Sequence, residues 1–222
     1  MSKSNRSNYF EGVLRVLNIM QTASMDLLEY LADSAAVLDR TRSAIHPDIM
    51  AAAIDTAVVA LAGGKPLLIC GNGGSAADAE HVTGELVGRF FENRRALKVI
   101  CLTSNAAVIT ALGNDQGFDT IFARQVEAYG EQGAVLLGIS TSGNSSNVIA
   151  AFERARGMEM RTIALTGEGG GRLAPLADYL LAVPSRHTPL VQQGHLCLYH
   201  YFCLQVERRM MQSFAAGAAS AP

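Results

Sequence analysis

The sequence predicts an α/β fold: a five-stranded parallel sheet flanked by helices in three layers, preceded by an N-terminal helical segment. Three observations carry that prediction. From Lys65 onward, short apolar runs alternate with stretches of helical period. The runs are continuous rather than alternating apolar and polar, as expected for strands buried on both faces. Two of them end in Gly/Ser-rich loops that lead into helices, the junctions at which open parallel sheets bind ligands.

The elements follow in order. Val13, Leu14, Leu17 and Met20, then Leu27, Leu28 and Leu31, recur at three- and four-residue spacing and predict a one-sided helix. A polar break is expected over 39–43. A second helix should open at Pro47, where proline suits a first turn, and stop at Gly63-Gly64. Strands are expected over 67–70, 97–102, 134–139, 162–165 and 179–183. Helices are expected over 75–90, 106–112, 120–129, 145–156 and 189–211. With no repeat or linker, this reads as one domain over residues 1–222: helices in 8–63, sheet core in 65–185 and a last helix in 189–211. The Ala/Ser/Gly tail from Ala215 should fray.

The chain has 222 residues, 49% apolar and 17% charged, with a formal net charge of −2. That balance gives no reason to expect a nucleic-acid partner, which would demand a basic surface. Cys70, Cys101, Cys197 and Cys203 form no Cys-x-x-Cys pair and read as buried, reduced thiols. The N-terminus lacks an apolar signal region and no run is long enough to span a membrane, so a cytoplasmic protein is expected. Tryptophan is absent, so a bound sugar would rest on hydrogen bonds rather than on indole stacking.

The first Gly/Ser loop is Gly71-Asn72-Gly73-Gly74-Ser75 and the second is Ser140-Thr141-Ser142-Gly143-Asn144-Ser145. Glycines let backbone N–H groups approach an anion, the next helix dipole favours negative charge, and hydroxyls add donors. Neither loop is a mononucleotide P-loop, and Ala76 breaks the dinucleotide glycine pattern. Either loop alone could be a tight turn with an N-cap serine. Together they point to a phosphate held without lysine or arginine.

His81 and Glu85 stand at i, i+4 on one helix face, with Asp78 and Glu80 directed elsewhere. The pair could bind a metal, transfer protons or form an exposed hydrogen bond. Gln192, His195 and His200 lie in an otherwise apolar helix, where each imidazole needs a partner if buried. Gln192 and His200 are eight residues apart, roughly 12 Å of helical rise, too far to reach one ion easily from the same helix, so a shared site needs Gln192 to precede the regular helix or different subunits to contribute the two.

These residues, within segments 70–90, 109–130, 135–156, 163–185 and 188–200, resemble the sugar isomerase (SIS) domain family and, inside it, the phosphoheptose isomerases. The similarity covers roughly 45–210. It implies a doubly wound, flavodoxin-like fold and a homotetramer with sites at subunit interfaces. It also implies conversion of sedoheptulose 7-phosphate to a mannoheptose 7-phosphate for surface-polysaccharide precursors. Carried over by position, Glu85 is the base and His200 the acid/base. His81, Glu85, Gln192 and His200 would hold zinc. Ser75, Ser140, Thr141, Ser142 and Ser145 would take the phosphate, with Asn72, Gly73, Asn105 and Gln192 lining the sugar site. Asn105 and His187 stand where the family usually has Asp, and Gln193 where it has Glu, which leaves two other readings: an isomerase for another sugar phosphate, or a non-catalytic regulator of the replication-initiator-associating type.

Overall fold

The computed structural model describes residues 26–219; the stripe from Val13 to Met20 lies outside them. Contacts divide the chain into two units, Met1–Ala36 and Val37–Pro222. In the first, Ser34 Oγ donates to the Tyr30 carbonyl at 2.7 Å within helix α1 (Leu27–Ala44).

Helix α1 runs through the polar stretch expected to break it. Arg42 pairs with Asp39 one turn back at 2.8 Å, and Thr41 Oγ1 donates to the Val37 carbonyl, so these polar side chains are accommodated by the helix. The chain breaks instead at Ile45-His46, where the residue before Pro47 is forced out of helical geometry. Helix α2 (Pro47–Ala62) then opens with its proline in the first turn and ends at Gly63, with Gly64 at φ 74°.

The sheet comprises β1 (Leu67–Gly71), β2 (Val99–Cys101), β3 (Val135–Ser140), β4 (Arg161–Thr166) and β5 (Tyr179–Ala182). All pairings are parallel, in the order β2-β1-β3-β4-β5. Strand β2 is shorter than its apolar run because only Val99, Ile100 and Cys101 find partners, on β1. The intervening helices are α3 (Gly74–Val87), α4 (Ala106–Asp115), α5 (Ile121–Tyr129) and α6 (Ser146–Gly157), followed by α7 (Thr188–Ala219). Helix α7 extends past Met211 into the alanine-rich tail expected to fray, as alanine's helix propensity allows.

Continuous apolar strands are explained by the two cores. Leu67, Ile69, Val135, Leu137, Ile163 and Leu165 face α2, α3 and α7, whereas Leu68, Cys70, Leu136 and Ala164 face α5 and α6. Each strand thus feeds both helical layers with alternate residues. Cys70 and Cys203 are buried and free, and burial pushes both thiols up, whereas Cys197 is exposed and Cys101 half-buried. The expectation of uniformly buried thiols therefore fails at the exposed face of α7. No single helix among the described residues is long and apolar enough to cross a membrane.

Candidate active site

The chain leaves β1 toward β2 on one side and later enters β3 on the other, so a crevice opens at the carboxyl ends of β1 and β3. Both Gly/Ser loops sit there. In the first, the Ser75 N–H donates to the Asn72 carbonyl at 3.0 Å and Gly73 takes φ 56°. In the second, Ser140 Oγ and Ser145 Oγ lie 3.0 Å apart, and the Asn144 N–H donates to Ser142 Oγ at 3.1 Å. Ser75 and Ser140 are buried, Thr141 and Ser145 half-buried and Ser142 exposed. Neither loop is a serine cap: Gly73 occupies the N-cap of α3, and Ser145, at the N-cap of α6, turns its hydroxyl to Ser140. The hydroxyls are thus grouped with two helix N-termini, a setting that suits an anion.

Two devices join the loops to their surroundings. Asn72 and Asn147 exchange side-chain amide hydrogen bonds, each 2.9 Å, tying one loop to the helix after the other. Gly143, at φ 65°, packs on the Gly170 backbone so closely that a β-carbon would overlap the Gly170 carbonyl oxygen. The Gly-rich segment after β4 therefore supports the Ser140–Ser145 loop from behind.

Helix α3 carries the second part of the site and α7 completes it. His81 Nε2 lies 3.2 Å from Glu85 Oε1 and 3.5 Å from His200 Nε2. Ligand atoms of His81, Glu85 and His200 all fall within 4.8 Å of one another, a two-histidine, one-carboxylate set that fits a divalent cation with an open coordination position. Burial first, and the neighbouring His81 second, push His200 below the ordinary imidazole range, while Glu85 pulls it up. The Tyr199 hydroxyl bridges the cluster to Asp78, 3.3 Å from Asp78 Oδ1 and 3.1 Å from His81 Nδ1. Asp78 therefore faces the same cluster as His81, contrary to expectation, because i, i+3 also shares a helix face. Burial raises the Asp78 carboxyl, against the Tyr199 hydrogen bond and His81, which lower it.

The end of α3 that holds Glu85 is anchored by a buried ion pair. Glu207 accepts the N–H groups of Phe90, Phe91 and Glu92 at 2.9, 2.8 and 3.2 Å, and lies 3.1 Å from Arg94 Nε. Burial opposes the Glu207 charge, but the three N–H groups and Arg94 outweigh it and hold the carboxyl below the usual range. Arg94 also donates to the Glu85 carbonyl at 2.9 Å.

Gln192 stands apart from the three-residue cluster. Its side chain packs on Gly74, where a β-carbon would collide with the amide nitrogen. Helix α7 thus meets the first loop through Gln192 and His81 through His200. Asn105 caps α4, its Oδ1 accepting the Val108 N–H at 3.1 Å. His187 is exposed just before α7. His195 is fully buried and Nε2 donates to the Thr166 carbonyl at 3.0 Å. Sequence reasoning directed Asp78 elsewhere and passed over Tyr199, Asn147 and Gly170. Only Asp78 left a usable signal, its spacing from His81.

A SIS domain family model matches residues 29–167. A phosphoheptose isomerase of Geobacter sulfurreducens is 52% identical over 150 residues, 68% of this chain and 79% of that one. One from Nitratidesulfovibrio vulgaris is 41% identical over 190 residues, 86% and 91% of the two chains. The solved phosphoheptose isomerase of Francisella tularensis superposes with a TM-score of 0.79 at 38% identity, over 83% of this chain and all of that one. The Neisseria gonorrhoeae structure gives 0.77 at 38% identity, covering 82% and 97%.

Proposed function

This chain belongs to the SIS domain family and, within it, to the phosphoheptose isomerases, and from that premise we infer how its site works. The protein is an aldose–ketose isomerase that converts sedoheptulose 7-phosphate to D-glycero-D-manno-heptose 7-phosphate through an enediol. The observation that carries the residue roles is the position of the proton-transfer cluster relative to the loops. Ser75 and His81 stand six positions apart on α3, about 9 Å of helical rise, a span matched to a sugar with phosphate at one end and carbonyl at the other.

The phosphate is anchored by Ser75, Ser140, Thr141, Ser142 and Ser145 together with loop N–H groups and helix dipoles. Asn72, Gly73, Asn105 and Gln192 line the sugar chain. Glu85 removes the carbon-bound proton and returns it to the neighbouring carbon, and His200 moves the oxygen-bound proton. The Phe90 ring packs beside the imidazole, its centroid 5.7 Å from that of His200. His81, Glu85 and His200 would hold a zinc ion, and Gln192, eight residues before His200 on the same helix α7, would join such a site only from another subunit; such an ion would polarise the carbonyl. Retention of Glu85 and His200 favours catalysis over the regulatory reading.

We place the enzyme in the cytoplasm, acting as a homotetramer on a free sugar phosphate, with no nucleic-acid or membrane partner. Val59, Phe91 and Tyr201 leave apolar side chains exposed on the single chain, as self-association would use. The test is turnover of sedoheptulose 7-phosphate by the wild type, Glu85→Gln and His200→Ala. Loss of kcat by about 10²–10⁴-fold in each variant is expected. Wild-type turnover in both would remove the role assignment.

A further inference from the structure

We propose that Tyr199 and Asp78 are positioning residues that fix the ring tautomer of His81 and so direct its Nε2 lone pair at a divalent cation shared with Glu85 and His200. The inference rests on the metal reading of that cluster. The Tyr199 hydroxyl has one hydrogen and two neighbours, Asp78 Oδ1 at 3.3 Å and His81 Nδ1 at 3.1 Å. A carboxylate oxygen can only accept, so the hydrogen goes to Asp78. The hydroxyl oxygen then accepts from the Nδ1–H of His81. A neutral ring protonated at Nδ1 carries its lone pair on Nε2, the nitrogen 3.2 Å from Glu85 Oε1. Lone pair and carboxylate oxygen repel each other unless a cation lies between them.

The surroundings leave the relay little freedom. Tyr199 is 1% exposed, its ring wedged beside both histidines with centroids 5.5 Å from His81 and 5.0 Å from His200. Among the described residues, Asp78 Oδ2 is buried without a hydrogen-bond partner. Asp78 is half-buried, and the bond from Oδ1 to the Tyr199 hydroxyl is the one that sets Tyr199. A carboxylate orienting a metal-binding imidazole is a recurrent arrangement, here extended by one hydroxyl.

The test measures metal affinity rather than turnover. Full-length, chelator-stripped protein is titrated with Co(II) followed by its visible spectrum, and with Zn(II) in competition with a chromophoric chelator. Tyr199→Phe and Asp78→Ala are expected to weaken both metals by about 10–100-fold at an unchanged metal-free melting temperature. Asp78→Asn, which still offers an accepting oxygen, should recover most of the affinity. Wild-type affinity and spectrum in Tyr199→Phe and Asp78→Ala would overturn the relay while leaving the metal site standing. Failure of the wild type itself to bind either ion would overturn the metal reading and the relay together.

Discussion

The loop end of the site is made of backbone and short hydroxyls, held by turns whose residues are close in sequence. The cluster end is made of long side chains, brought together from helices more than a hundred residues apart. At the loop end, Gly73 and Gly143 take positive φ and the Ser140–Ser145 bond closes within six residues. At the cluster end, His81 meets His200 across 119 positions, and both depend on the packing of α3 against α7. The difference suggests a division of labour. In the proposed function, the backbone would supply an anion seat without titratable groups, and the helices would supply groups whose protonation changes during the reaction.

Loss of the α3 anchor should disturb the cluster and spare the loops. Glu207→Gln breaks the pair with Arg94 in a site where both side chains are no more than 2% exposed, so about 3–5 kcal/mol of stability should be lost. Denaturant unfolding measures this; a loss below about 1 kcal/mol would mean that the pair is not what holds the turn after α3.

A pH effect of similar size is expected from the joint between α7 and β4. Burial drives the His195 imidazole down to about 4, against the Thr166 hydrogen bond, which raises it. The unfolded chain takes up that proton near pH 6.5 and the folded chain does not. Stability should therefore fall as pH drops from about 6.5 to about 4, by up to about 3 kcal/mol. His195→Gln should flatten that limb of the stability profile; an unaltered limb would place its origin elsewhere.

The loop end should respond in KM rather than in kcat. Gly143→Ala drives a methyl into the Gly170 carbonyl oxygen at a positive φ, and displacement of the Ser140–Ser145 loop should raise KM by about 100-fold. Ser75→Ala removes one buried hydroxyl and should raise KM by about tenfold. If either variant lost kcat at unchanged KM, anchoring and proton transfer would not be separable as described.

The same contrast explains what could be read from sequence. Loop chemistry is local: Gly71-Asn72-Gly73-Gly74-Ser75 announces tight turns and hydroxyl donors before any fold is known. The parallel sheet was equally legible, because strands serving two cores carry no polar face. The cluster was legible only as the His81/Glu85 spacing and through family resemblance; no periodicity reveals that Tyr199 stands between Asp78 and His81. Residues 39–43 misled because their polarity resembles a break, while their side chains in fact bond within α1. Asn147 and Gly170 gave no sign, since their partners lie on other loops.

The separation of anchor from proton transfer is tested most directly by isotope exchange. Sedoheptulose 7-phosphate is incubated in D₂O with wild type and with Glu85→Gln, and deuterium at the carbons beside the carbonyl is followed by mass spectrometry while binding is measured by calorimetry. The wild type should exchange, and Glu85→Gln should bind the sugar phosphate with unchanged affinity and exchange nothing. Exchange at the wild-type rate in Glu85→Gln, or loss of binding with loss of exchange, would contradict the account.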